Sequence, residues 1–197
     1  MYSRCDNPER GFSYKTDGPL DLRLNPQKGV SAAERLKELT REEFEGMMVE
    51  NSDEPYALEI SRVVMSHLRK GKPVETTKDL YNCIEEALSF IPEKERKEAV
   101  KKSCQRTFQA LRIDVNSEFE VLDRFLESLP DVLVSGGRVA ILTFHSGEDR
   151  LVKKSFKKFL KQGVYSEVAQ DVIRPSAKEC AENPRAKSTK MRWAVKA

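Results

Sequence analysis

Seven consecutive residues, Arg138-Val-Ala-Ile-Leu-Thr-Phe144, constrain the fold of this chain more than any other stretch. A continuous apolar run of that length, preceded by Gly136-Gly137, has the composition of a strand buried on both faces, the mark of a parallel or mixed α/β sheet. Two more short strands are expected after it, Val164 to Ile173 and Arg192-Trp-Ala-Val-Lys196. An α/β sheet covered on both faces normally opens with strand, turn and helix, and no such unit precedes this one. Three strands are too few to cover both faces of Val139 to Phe144. The edge of that strand is therefore expected to be poorly protected, and the chain marginally stable or self-associating.

The remainder reads mostly as helix. The first thirty residues hold Asn7-Pro8, Asp17-Gly18-Pro19 and Asn25-Pro26, too many breakers for a regular element, and read as an ordered loop. From Ser31 the apolar spacing turns helical through Leu36, Phe44, Met48, Ile60, Val64 and Leu68, with Arg69-Lys70-Gly71 as a C-terminal stop. Another helix starts at Thr76 or Thr77, and Pro92 opens a short charged one. Phe108, Leu111, Val115, Phe119, Leu122, Phe125 and Leu129 predict one long helix with a single buried face, ending at Pro130. These phenylalanines, with Phe156 and Phe159, are read as core. Ser146 and Asp149 are spaced as a cap for the helix from about Gly147 to Leu160.

The composition narrows the classes of function. The 197 residues are 34% charged, contain no apolar run long enough to cross a membrane, and begin without the apolar core of a signal peptide. A cytoplasmic protein with no membrane partner is the expectation. Cys5, Cys83, Cys104 and Cys180 form no C-x-x-C pair and have only His67 and His145 as imidazoles, which argues against a metal centre and for free thiols. The net charge of +3 conceals an asymmetry: residues 1–149 carry −6 and residues 150–197 carry +9. A basic C-terminal quarter is what a phosphate backbone attracts, and equally what a solvated helix face contains.

Four blocks carry a resemblance. Glu9-Arg10-Gly11-Phe12-Ser13-Tyr14 leading into Asp17-Gly18-Pro19-Leu20-Asp21-Leu22-Arg23-Leu24, Arg106-Thr-Phe-Gln-Ala-Leu-Arg-Ile113 with Asn116, Phe144-His-Ser-Gly-Glu-Asp-Arg150, and Asn183-Pro184-Arg185-Ala186-Lys187-Ser188 resemble the MraW (RsmH) family of S-adenosylmethionine-dependent ribosomal RNA methyltransferases, in order and spacing. The resemblance implies a Rossmann-like methyltransferase with an inserted helical module, acting on the exocyclic amine of one cytosine in small-subunit rRNA. On that template residues 1–30 are a motif-bearing loop, 31–105 the inserted all-helical module, and 106–197 the C-terminal half of the α/β domain, a partial sheet. The family's glycine-rich turn and the acidic positions that hold S-adenosylmethionine lie upstream of the Arg-Gly-Phe-Ser motif, and its cofactor-contacting glutamine, which would fall near Arg4, is unmatched. No cofactor-binding residue is carried over, and the chain is expected to be part of an enzyme or a short protein without the donor site. The partners implied are small-subunit rRNA or the small ribosomal subunit, not DNA. A non-catalytic RNA- or ribosome-binding protein derived from the family is the alternative, and an interaction subunit whose missing strands come from another chain is a third.

Transfer to a cytosine amine is difficult because the nitrogen lone pair is delocalised into the ring. The amine must be held in line with the methyl donor and its proton accepted, with the base out of its stack. Asp21, His145, Glu148 and Asp149 are the catalytic candidates, since they lie in the Gly-Pro-Leu-Asp turn and at the end of the buried strand. Three of them also have a structural reading: Asp21 pairing with Arg23, His145 as a hydrogen-bonded histidine, and Asp149 with Ser146 as a cap. Arg106, Arg112, Asn116, Arg150, Lys153, Lys154, Arg185, Lys187 and Lys190 are candidate RNA contacts, with Lys157 and Arg192 beside them. For Arg106, Gln109, Arg112 and Asn116 a polar network that pins the long helix competes with that role.

Overall fold

Three boxes of the form Ser/Thr-x-x-acid set the starts of helices in the first half of the chain. In a computed structural model, which describes residues 11–197, Ser31 and Glu34 cap α1 (Ala32–Glu38), Thr40 and Glu43 cap α2 (Arg41–Ser52), and Thr76 and Asp79 cap α4 (Thr77–Ala87). In each the hydroxyl accepts the third backbone N–H while the acid accepts the cap's own N–H, an exchange that contributes about 1 kcal/mol per helix start. Between them runs α3 (Ala57–Arg69), and α5 (Glu93–Val115) follows. Pro92 thus opens a helix of 23 residues, not a short one, and α5 crosses residue 105 without interruption.

The chain divides into two compact units, residues 1–117 and 118–197. In the first, α5 packs against α2 and α4, and α3 lies against α2 and α4. Phe44, Met48, Ile60, Val64, Leu80, Ile84, Leu88 and Leu111 are almost fully buried between them. One charged side chain enters this core: Glu54 accepts hydrogen bonds from the Ser103 hydroxyl at 2.8 Å and the Tyr56 N–H at 3.0 Å. Residues 11–30 form turns and one isolated bridge, Pro19 to Thr76, and Leu20 and Leu22 are inserted into the core. Among the described cysteines Cys83, Cys104 and Cys180 are free thiols, and Cys5 lies outside the described residues. Burial, reinforced by nearby carboxylates, pushes the thiols of Cys83 and Cys104 up to about 11 and about 12, which keeps both protonated and unreactive.

The second unit is a mixed α/β arrangement of α6 (Glu118–Val132), β1 (Arg138–Thr143), α7 (Ser146–Lys161), β2 (Tyr165–Val168), α8 (Ala177–Glu182), a 3-10 turn over Pro184–Ser188, and β3 (Lys190–Lys196). The sheet order is β1-β3-β2, and both pairings are antiparallel, with Ala140 opposite Trp193 and Ile141 opposite Arg192. The described sheet is therefore antiparallel in its ladders, not parallel or mixed, although β1 and β2 point the same way on either side of β3. Residue Ile173 joins by a single bridge, beyond the end of β2. Helix α7 packs on the sheet and on α6. Val152, Phe156, Phe159, Tyr165 and Ala194 form the core, with the Tyr165 ring meeting Phe156 and Phe159 edge-on at 5.6 and 5.7 Å.

Four expectations are corrected by these elements. The long helix is two: Asn116 caps α5 and Ser117 takes φ +48°, a left-handed turn that the spacing of apolar residues passes over because Val115 and Phe119 remain four apart. Pro130 sits buried inside α6 and does not end it. The strand β1 is not buried on both faces: Val139 and Ile141 face the core, whereas Leu142 is 56% exposed and Phe144, just past its end, 55%. Phe125 is likewise half exposed and leaves the core list, while Phe108, Phe156 and Phe159 stay in it.

Candidate functional site

The turn from Pro19 to Leu24 in the first unit is held more tightly than a loop needs to be. The backbone of Leu20 exchanges bonds with Glu75 and Ala33, and the Asp21 carbonyl accepts the Ala32 N–H. Leu22, 1% exposed, takes φ +64°, a conformation that costs a residue with a Cβ about 1 kcal/mol or more. Asn116 clamps it from both sides, donating to the Leu22 carbonyl at 2.8 Å and accepting the Leu24 N–H at 2.7 Å. Gly11 closes the same turn: a Cβ there would lie 2.2 Å from the Pro19 carbonyl oxygen. Asp21, the candidate in this turn, meets the Arg23 guanidinium with both oxygens, at 2.7 and 2.8 Å, and Arg23 reaches on to the Gly29 carbonyl.

At the head of α7 the cap is His145, not Ser146. The imidazole Nδ1 accepts the Glu148 N–H at 3.4 Å, and Glu148 returns the exchange by accepting the Phe144 N–H at 2.8 Å. An imidazole built into a cap does the work that a hydroxyl does at the other helices, a substitution with no sequence signature. Gly147 lets Phe119 approach, since a Cβ would stand 2.5 Å from its ring, and that ring lies 5.8 Å from the imidazole. The Nε2 of His145 is buried without a hydrogen bond and faces a Glu148 oxygen at 3.3 Å. Glu118 completes a group whose potential ligand atoms all lie within 4.8 Å of one another. As the ring is set, Nδ1 accepts, so the neutral imidazole carries its proton on Nε2, toward the two carboxylates. A metal at Nε2 would require that proton on Nδ1 and would break the cap.

Asp149, one residue on, bridges to β3. Arg192 is 6% exposed and donates to the two Asp149 oxygens at 2.8 and 3.2 Å, with Lys190 at 3.7 Å. Arg192 is thus removed from the candidate RNA contacts, and Asp149 is a strut. Burial pushes Glu148 and Asp149 up, but the adjacent His145 imidazole and the Phe144 N–H in the first case, and the Arg192 and Lys190 cations in the second, outweigh it and hold both below their usual values. A depressed carboxylate stabilises the fold above its ordinary pKa, and that contribution is lost as pH falls through the lower native value. The stability of the second unit in urea, followed by Trp193 fluorescence, is expected to fall progressively below about pH 4. A midpoint unchanged down to about pH 3 would contradict these assignments.

The remaining basic candidates fall into two groups. Lys153, Lys154 and Lys157 are exposed on α7, and Arg150 stands exposed at its first turn; Arg185 and Lys187 are exposed on the 3-10 turn. Arg106, Arg112 and Asn116 lie half-buried on α5; there Gln109 donates to the Asn51 carbonyl and Asn116 to the Leu22 turn, so at least two of the four polar positions form a network. Sequence reasoning missed the participation of Glu118. It is far from His145 along the chain, and only the fold brings the two together.

Most residues of both constellations lie in the blocks singled out in the sequence, and a sequence comparison covers all of them. The profile of the MraW methylase family matches residues 2–197. The chain belongs to the MraW methylase family. Among its relatives, ribosomal RNA small subunit methyltransferase H 1 of Lachnoclostridium phytofermentans is 67% identical over 194 residues, covering 98% of this chain and 53% of that protein. The enzymes of the same name from Agathobacter rectalis and, as H 2, from Alkaliphilus metalliredigens are 64% and 61% identical, with 98% of this chain and 56% of each relative covered. This MraW-family chain therefore spans about half the length of the curated relatives it matches. None of its described helices is long and apolar enough to cross a membrane.

Proposed function

We infer that this chain is the C-terminal part of an S-adenosylmethionine-dependent methyltransferase that methylates the exocyclic amine of a cytosine in small-subunit rRNA. The observation that carries this reading is the 61–67% identity, along 98% of the chain, to proteins named ribosomal RNA small subunit methyltransferase H. The helical unit is then the inserted module, and the sheet of the second unit the last part of a Rossmann-like domain. Two features support that placement: β1 and β2 are codirectional around an antiparallel β3, and β1 pairs on one side only among the described residues. Further strands laid along β1, with a helix layer over Leu142 and Phe144, would supply the cover that an α/β sheet requires.

The described residues do not fit the methyl donor. Where a glycine of this chain makes a close approach, its neighbour is the chain itself: the Pro19 carbonyl at Gly11, Val134 at Gly137, Phe119 at Gly147. Those three close-approach glycines are filled by the chain and leave no cradle for a sulfonium nucleoside. What these residues offer is the other half of the chemistry. An exocyclic amine becomes strongly acidic once alkylated, so a carboxylate with an ordinary or depressed pKa suffices to take its proton. Asp21 and Asp149 are each spent on a guanidinium. Glu148, beside the proton-bearing His145, is the acceptor this reading favours, and the exposed lysines of α7 with Arg185 and Lys187 are its phosphate contacts.

The test is methyl transfer from radiolabelled S-adenosylmethionine to small ribosomal subunits that lack the modification. The chain alone is expected to transfer nothing and to show no calorimetric binding of the donor. Joined to the portion of a relative that it does not span, it is expected to do both. Failure of the joined protein would overturn the reading, and activity of the chain alone would overturn the assignment of the donor site to the other portion.

A further inference from the structure

A cleft of about 700 Å³ in the helical unit shares only Glu75 with the constellations above. It opens between the end of α1, the start of α2 and the end of α3. Its floor is apolar, formed by Leu36, Leu39, Met65 and Leu68, and its rim carries Lys37, Arg41, Arg69 and Lys72 against the carboxylates Glu42 and Glu75. Both carboxylates are already engaged: Glu42 by Arg41 at 2.6 Å and Glu75 by Lys37 at 2.8 Å. The Lys37–Glu75 pair is half exposed, the solvent-screened kind that exchanges partners at little cost. Arg69 donates its Nε to the Met65 carbonyl, and neither it nor Lys72 makes an ion pair among the described residues. An apolar floor beside two cations without carboxylates suits a ligand that is flat and apolar at one end and anionic at the other.

We propose that this cleft binds one nucleotide of single-stranded RNA, its base over the leucine and methionine floor and its phosphate between Arg69 and Lys72. The volume is within the range of small-ligand sites, which are mostly apolar with a few placed polar groups, and a positively charged groove that follows the backbone is common in single-strand recognition. An extended peptide is the poorer fit, since the cleft is lined by helix ends and the segments joining them and offers no sheet edge for backbone pairing. The proposal rests on RNA being the substrate, but its test needs no methyl transfer.

The probe is a pyrimidine pentanucleotide titrated into the isotope-labelled chain at low salt, with amide shifts read residue by residue. Arg41, Gly71 and Lys72 are expected to shift. The K72E variant is expected to weaken those shifts about tenfold and to lower the salt slope of binding by about one, and R69E/K72E to abolish them. K178E, at an exposed position of α8 with no assigned role, is expected to leave them unchanged. Shifts confined to residues 138–197, or shifts at Gly71 that persist in K72E, would overturn the proposal. An acidic peptide that shifts the same amides more strongly than the RNA would also overturn it. These outcomes leave the methyltransferase reading standing, and failure of methyl transfer would leave the shifts in place.

Discussion

Replacing Asp149 by alanine is expected to destabilise the second unit by about 3 kcal/mol. The reason is not the attraction lost but the charge left behind. Arg192 lies 6% exposed on β3, donates to both Asp149 oxygens and has Lys190 nearby, so its guanidinium would remain in the core facing a cation instead of an anion. Removing one partner of a buried pair costs more than replacing both. The double variant D149L/R192M is therefore expected to recover most of the loss. The protein's single tryptophan, Trp193, is adjacent to Arg192 and reports on this unit alone in urea unfolding. A loss below about 1 kcal/mol in D149A, the level of a surface pair, would show that the strut carries no weight.

Replacing Asn116 by alanine is the second large effect, at about 2 kcal/mol in the first unit. One side chain satisfies the Leu22 carbonyl, the Leu24 N–H and the Arg112 carbonyl, and it holds Leu22 in a left-handed conformation. Without it the turn relaxes and Arg23 and Asp21 lose their frame. Asn116→Asp is expected to be no better, because a carboxylate oxygen would face two carbonyls in place of the amide donor. Native-state hydrogen exchange gives the local readout: the Leu24 amide should exchange faster in both variants, while amides in α2 and α3 shift only with global stability. Unchanged protection at Leu24 would refute the clamp. If the turn serves the substrate, as the family reading has it, the joined enzyme carrying N116A should lose turnover at temperatures where it remains folded.

Much of the candidate site was legible before the fold. The blocks mark Asp21, His145, Glu148 and Asp149 as candidates, and the pairing of Asp21 with Arg23 follows from their proximity in a tight turn. The fate of the other charges was not legible. Asp149 meets Arg192 across 43 residues of sequence, and Glu118 reaches His145 only because α6 and α7 pack side by side. Composition marked Arg192 and Lys153 as equivalent basic residues, yet one is buried in an ion pair and the other is exposed.

The sequence by itself determined the local elements and the family. Ser31, Thr40 and Thr76 start helices because a cap is made within four residues, and the apolar spacing of Leu36, Phe44, Ile60, Val64, Leu80 and Ile84 marks the faces that must leave water. The tertiary structure alone decided where periodicity is blind. One left-handed residue at Ser117 splits a helix whose apolar spacing runs on unbroken, and β3, last in the chain, inserts between β1 and β2 and makes the ladders antiparallel. Spacing records which side chains seek burial; strand order, strut partners and the proton on His145 depend on atoms that only folding brings within hydrogen-bonding distance.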